Sequence, residues 1–128
     1  MSTELPESLL QFVRACIPTY QAAEVLLFFA ANPERDFSPA EIMVSMQPVV
    51  VTASAIAEYA AHFTARGLLT EQDSRYRYTP SPEYERNIAE LAHAYNHQPV
   101  TLIGEIYRIA DSKIQSFADA FKLRKDEP

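Results

Sequence analysis

Arg66-Gly67-Leu68-Leu69-Thr70-Glu71-Gln72-Asp73-Ser74-Arg75-Tyr76-Arg77-Tyr78-Thr79 is where the periodicity of this chain changes, and that change decides the fold. Just upstream, Ile56, Tyr59, Ala60 and Phe63 recur at spacings of three and four, the pattern of a helix with one buried face. Gly67 follows Arg66 where a helix ends in a left-handed residue, a conformation glycine adopts without steric cost. Beyond it the pattern alternates. Residues 68–70 read as one strand, 71–74 as the turn and 75–79 as the return strand, with Pro80 closing a hairpin.

Working outward toward the N-terminus, Thr52 stands where a cap would open the helix that ends at Gly67. The β-branched run Val49-Val50-Val51 behind Pro48 suits a turn over 47–51 better than a helix. Before it, Ser38-Pro39-Ala40-Glu41 is a capping box. Serine sits at the cap, proline at the first helical position and glutamate three residues on, which predicts a short helix to about Met46. Asn32-Pro33-Glu34-Arg35-Asp36 reads as a turn. The stretch 19–31 is apolar almost all round and predicts a helix enclosed by its neighbours. A first short helix enters at Leu5-Pro6-Glu7-Ser8 and carries Leu9, Phe12, Val13, Cys16 and Ile17.

Toward the C-terminus, Ser81-Pro82-Glu83 offers a cap and a first-turn proline for a helix with Tyr84, Ile88, Leu91, Ala92 and Tyr95 on one side. A last helical pattern includes Ile103, Ile106, Tyr107, Ala110, Ile114, Phe117 and Phe121, with Asp111-Ser112 as a candidate restart. The expected fold class is therefore mainly α with a small β-hairpin wing. It divides into an N-terminal helix (1–17), a winged helix-turn-helix core (18–80) and a C-terminal helical segment for packing or dimerisation (81–128).

Composition narrows the function. The chain has 128 residues, 48% hydrophobic against 22% charged, with seven Tyr and seven Phe, so it buries a real core. Two glycines leave nothing for a Gly-rich phosphate loop, and the single Cys16 excludes an intrachain disulfide or a cysteine-based zinc site. No nucleophile elbow or zincin motif is present, so the chain is read as a non-enzyme without cofactor. Apolar runs are too short for a membrane span, and Glu4 and Glu7 stand where a signal peptide carries basic residues. The expectation is a cytoplasmic protein without a membrane partner.

Helix, capped short helix, turn, longer helix ending in Arg66-Gly67-Leu68-Leu69, and hairpin ending in Tyr76-Arg77-Tyr78-Thr79 together resemble the winged-helix domain of bacterial MarR-type regulators. This resemblance covers about half the chain. The segment Ser116-Phe117-Ala118-Asp119-Ala120-Phe121-Lys122-Leu123-Arg124-Lys125 is similar to the ending of a group of small bacterial winged-helix proteins described as transcriptional regulators. The resemblance implies a DNA-binding transcription regulator acting as a homodimer. The helix from Thr52 would lie in the major groove with Thr52, Ser54, Ala55 and Glu58 toward the bases, and Arg75 and Arg77 of the wing would contact the backbone. It also implies a dimer interface between the terminal helices, with Leu9, Phe12, Val13, Ile103, Tyr107, Ile114, Phe117 and Phe121 as its candidates.

Charge pulls the other way. Net charge is −6 at pH 7, and no Lys or Arg occurs between Arg35 and Arg66, where Asp36, Glu41 and Glu58 fall. Phosphate neutralisation is therefore weak where a reading helix needs it. None of the four base-facing candidates is the Arg, Lys, Asn or Gln that matches base edges bidentately. Arg75 and Arg77, two apart on a strand and about 7 Å from each other, either straddle phosphates or simply face solvent. The alternative function is a protein–protein interaction module that keeps the fold without binding DNA. His93, His97 and Glu90 share a helical face at ligand spacing, but no Cys or further His is nearby and Asp111 is the only other obvious carboxylate that could fold close, so no metal site is expected. His62 reads as a neutral side chain and Cys16 as a small hydrophobe.

Overall fold

A computed structural model gives the protein's fold; it describes residues 5–125, with side chains over 5–115. The chain is mainly helical with a small antiparallel sheet, in the order α1 (Glu7–Cys16), α2 (Tyr20–Ala31), β1 (Asp36–Phe37), α3 (Pro39–Ser45), α4 (Ala53–Ala65), β2 (Leu69–Gln72), β3 (Arg75–Tyr78), a 3₁₀ turn (Pro82–Tyr84), α5 (Glu85–His97) and α6 (Pro99–Lys125).

The caps set most of these boundaries. Thr19 Oγ1 accepts from the Ala22 amide and starts α2. Ser38 and Glu41 close the capping box of α3 reciprocally, at 3.2 and 2.8 Å. Thr52 Oγ1 accepts from the Ala55 amide at 3.0 Å and opens α4. At the other end of α4, Gly67 has φ +81°, its amide reaches the Thr64 carbonyl, and the Leu68 amide reaches the Phe63 carbonyl. That pair of bonds is a Schellman motif, which satisfies the last helical carbonyls and turns the chain into β2.

Four local expectations are corrected. The hairpin turn is tighter than 71–74: β2 extends to Gln72, and only Asp73 and Ser74 bridge the strands, at φ +55° and +62°. Positive φ at both central residues is the two-residue turn whose twist matches the strands. Asp36-Phe37 is a third strand rather than the end of a turn, paired with Arg77 and Tyr76 of β3 in a sheet ordered β1-β3-β2. Ser81 stands at the N-cap position of the 3₁₀ turn with Pro82 first, but its side chain makes no cap bond; its hydroxyl and amide both donate to the Gly67 carbonyl, closing the base of the hairpin. Finally, α6 runs unbroken through Asp111-Ser112.

One hydrophobic core joins all three parts of the chain. Phe29, Leu26 and Val25 of α2 are fully buried, with Ile56, Ala60 and Phe63 of α4 below them. Phe37 of β1 meets the rings of Phe28 and Phe29 edge-on at 5.0 and 6.1 Å. Leu9, Phe12, Val13 and Cys16 of α1 pack into this same core together with Leu91 of α5 and Leu102, Ile106 and Ile109 of α6. The expectation that Leu9, Phe12 and Val13 form a dimer interface is thereby corrected: their apolar area is already covered within one protomer. Among the described residues no single helix is long and apolar enough to cross a membrane.

Candidate functional site: the α3–turn–α4 face and the hairpin

The connection between α3 and α4 carries Gln47 to Val51, with a cis peptide at Gln47–Pro48. Its position is fixed from behind, because Val51 is buried and Gln21 Nε2 of α2 donates to the Val50 carbonyl at 3.0 Å. The side chain of Val50 is left 85% exposed, and Val44 on α3 60% exposed. At Val50 an open groove of about 730 Å³ is lined by Met43, Gln47, Pro48, Val49, Val50, Val51 and Thr52. Apart from Gln47 and Thr52, its side chains are apolar. The signal for it in the sequence was the run Pro48-Val49-Val50-Val51, which is apolar at a position where turns are ordinarily polar.

Thr52, which lines this groove, lies exposed at the start of α4, as do Ser54 and Glu58. The Thr52 hydroxyl is engaged as the helix cap. Ala55 is turned partly into the protein and packs against the core, so it is less accessible than its neighbours. The open face of α4 therefore offers a hydroxyl, a carboxylate and small side chains.

The two hairpin arginines are both held within the protein. Arg75 Nη2 lies 2.8 Å from Glu41 Oε1 of α3 and 3.2 Å from Asp36 Oδ1 of β1. Arg77 Nη2 donates to the Glu34 carbonyl at 2.9 Å. A third arginine near the sheet, Arg35, has its guanidinium 4.9 Å from the centre of the Phe37 ring. Glu41 is thus shared between cap and ion pair. The Ser38 amide, with Arg75 behind it, holds the Glu41 carboxyl below the usual glutamate range. The hydrogen bond to Asp36, with the charges of Asp36 and Glu41, pushes the Arg75 guanidinium further up. Both arginines sit on one face of β3, as their spacing predicts, and that face looks toward carbonyl and carboxylate oxygens of the segment 34–41.

The remaining candidates lie away from this face. His62 Nε2 is 3.0 Å from the Cys16 carbonyl, and since a carbonyl only accepts, that nitrogen carries the proton. Burial pushes the His62 ring below the ordinary histidine value and pushes the Cys16 thiol up. His93 and His97 are exposed with ring centres 4.4 Å apart, while Glu90 accepts from the Ser8 hydroxyl and the Asn87 amide. Among the described residues no group of His, Cys, Asp and Glu is arranged to hold a metal ion. Ile103 is half-buried, Tyr107 and Ile114 are exposed on α6, and the side chains of Phe117 and Phe121 lie outside the described residues. No family model, curated protein or solved structure matches the chain.

Proposed function

We propose that this chain is a winged-helix module of the transcription-regulator type whose α3–turn–α4 face takes a protein partner in place of DNA. One observation carries the reading: in the region where a winged helix meets phosphates, Arg75 is neutralised by Glu41 and Asp36 and Arg77 is held on a carbonyl, while Val44 and Val50 stand exposed. A phosphate backbone gains little from such a surface, because its affinity comes from cations that release counterions. An apolar groove whose only polar lining residues are Gln47 and Thr52 suits a partner that brings its own aliphatic or aromatic anchor.

Direct DNA binding is the second reading. The exposure of Thr52, Ser54 and Glu58 at the start of α4, and of Arg66 and Arg77 nearby, favours it. It requires Arg75 to leave two carboxylates for a phosphate.

Anisotropy with genomic DNA fragments at about 50 mM salt separates the two. The protein-docking reading expects no binding there, together with a discrete protein adduct from a photo-crosslinker at Val50 and none from one at Gln72, which is also exposed. Salt-dependent DNA binding whose slope shrinks when Arg75 and Arg77 are both changed to Ala would overturn it.

A further inference from the structure

Where α2, α4 and α6 meet, a cleft of about 380 Å³ opens, the size of a site for one small molecule. Three tyrosines line it, Tyr20 from α2, Tyr59 from α4 and Tyr107 from α6, together with a single charged side chain, Glu24 of α2. Two of the rings are fixed before anything enters. Tyr20 stacks on Tyr95 of α5 with ring centres 5.7 Å apart. The Tyr59 hydroxyl accepts from Thr19 Oγ1 at 3.0 Å and donates to Gln21 Oε1 at 3.5 Å. Tyr107, 63% exposed, makes the open third side.

The hydrogen bonds around the cleft use up donors and leave a carboxylate. Gln21 Nε2 is spent on the Val50 carbonyl, the Thr19 hydroxyl on Tyr59, and the Tyr95 hydroxyl on Glu24 Oε2 at 3.1 Å. The phenols of Tyr20 and Tyr107 donate or accept equally. Glu24 is half-buried, and among the described residues no Lys, Arg or His lies within ion-pair distance of it. It is a negative charge without a counter-charge. The start of α2 at the same cleft carries about half a positive unit, and Thr19 Oγ1 already takes the Ala22 amide there, so the full charge of Glu24 sets the sign. Burial, then the Glu24 charge, push the Tyr20 phenol up and keep that ring neutral.

We propose that this cleft binds a small organic cation of the alkylammonium class, with Glu24 as its counter-charge and Tyr20, Tyr59 and Tyr107 as its aromatic walls. The class follows from the lining. A methylated ammonium is attracted to the negative faces of aromatic rings and needs no hydrogen-bond acceptor for each of its substituents. A metal ion finds one carboxylate where oxygen-ligand sites need several. An anion meets Glu24 head on, and a neutral apolar molecule leaves that charge unpaired. The net charge of −6 draws small cations toward the protein in the same sense. Gln21 ties this wall to the Val50 carbonyl, but Val50 does not line the cleft, so the inference stands apart from the partner proposed for the α3–α4 turn.

Choline is the probe, titrated into the full chain by nuclear magnetic resonance beside its neutral carbon isostere neohexanol and the anion tert-butylacetate. The three share one branched head and differ in charge. Choline is expected to bind saturably, about tenfold or more tighter than either of the others. Glu24→Gln, which keeps an oxygen for the Tyr95 hydroxyl, is expected to remove that preference, so that choline and neohexanol bind alike. Tyr107→Ala, at an exposed position, is expected to weaken choline by about threefold to tenfold with an unchanged circular dichroism spectrum. Should Glu24→Gln fail to fold, Tyr107→Ala and the comparison of the three probes on wild type carry the test. No saturable choline binding below about 10 mM, or neohexanol binding as tightly as choline to wild type, would overturn the proposal. So would tighter binding of tert-butylacetate, which marks an anion site, or a choline affinity that both variants leave unchanged, which places the site elsewhere.

Discussion

Changing Gly67 to Ala tests whether the junction between α4 and the hairpin is as tightly constrained as its geometry indicates. Two effects add. At φ +81° an L-residue incurs a left-handed penalty of about 1–2 kcal/mol. The new Cβ would also stand 2.9 Å from Ser81 Oγ, closer than real Cβ contacts come. Ser81 escapes only by rotating away, which breaks its 3.2 Å bond to the Gly67 carbonyl and costs a further ~0.5–1.5 kcal/mol. The backbone cannot yield instead, because Ser81 N to Gly67 O at 2.9 Å and Thr79 N to Leu68 O at 3.1 Å clamp the two segments. The expected loss is about 2–3 kcal/mol in urea denaturation with an unchanged m-value, or a Tm lower by about 3–5 °C per kcal/mol for a chain of this size. Ser81→Ala alone should cost about 0.5–1.5 kcal/mol. The double variant separates clash from backbone strain: in the Gly67→Ala background, removing the Ser81 hydroxyl relieves a contact, so the two single losses should sum to more than the double variant shows. Losses additive within about 0.5 kcal/mol, or a Gly67→Ala loss below that size, would refute the reasoning.

Other outcomes follow from the same packing and electrostatics. Phe29→Ala empties a fully buried site against Phe28 and Phe37 and should cost about 3–5 kcal/mol in the same denaturation experiment. Tyr95 donates to Glu24 at 3.1 Å, and burial followed by the Glu24 charge pushes its phenol up to about 12. A raised folded pKa favours the protonated form, so this contribution to stability is complete below the ordinary value of 10.0 and is lost as pH rises toward 12. Burial also raises Tyr20, Tyr76, Tyr78 and Tyr84, so an ultraviolet titration should show several late tyrosines and one fewer in Tyr95→Phe. Glu41 has the opposite sign. Its lowered folded pKa gives stability that is present above the ordinary carboxylate value and lost as pH falls through the folded one, and Glu41→Gln should flatten that part of the acid unfolding curve.

Elements whose signals are local could be read from the chain itself. Ser38, Thr52 and Gly67 act within three or four residues of where they stand, so the starts of α3 and α4 and the end of α4 were visible as caps, while α2 was visible by its apolar run. What escaped was non-local or unusual in residue choice. Strand β1 has two residues, too few for periodicity, and exists because β3 arrives 39 and 41 positions later. The tight turn uses Asp73 and Ser74 where the common signal is Asn-Gly. At the candidate site, the identities and spacing of Arg75 and Arg77 were legible, but their pairing was not, since Glu41, Asp36 and Glu34 come from a distant stretch of chain. Whether an apolar helical residue faces its own core or a second molecule is equally hidden. Leu9 and Tyr107 carry the same helical signal, yet one is fully covered and the other open.

The knot of Arg75 with Asp36 and Glu41 also bears on how quickly anything reaches the face beside it. No charged side chain lines the groove at Val50, and Arg75 is held by two carboxylates, so attraction draws in no anion there. Encounter there is unsteered, with a rate constant of about 10⁵–10⁶ M⁻¹s⁻¹ that ionic strength hardly changes. A complex formed at such a surface owes its lifetime to slow departure, and therefore to how closely a side chain fills the space between Met43 and Thr52.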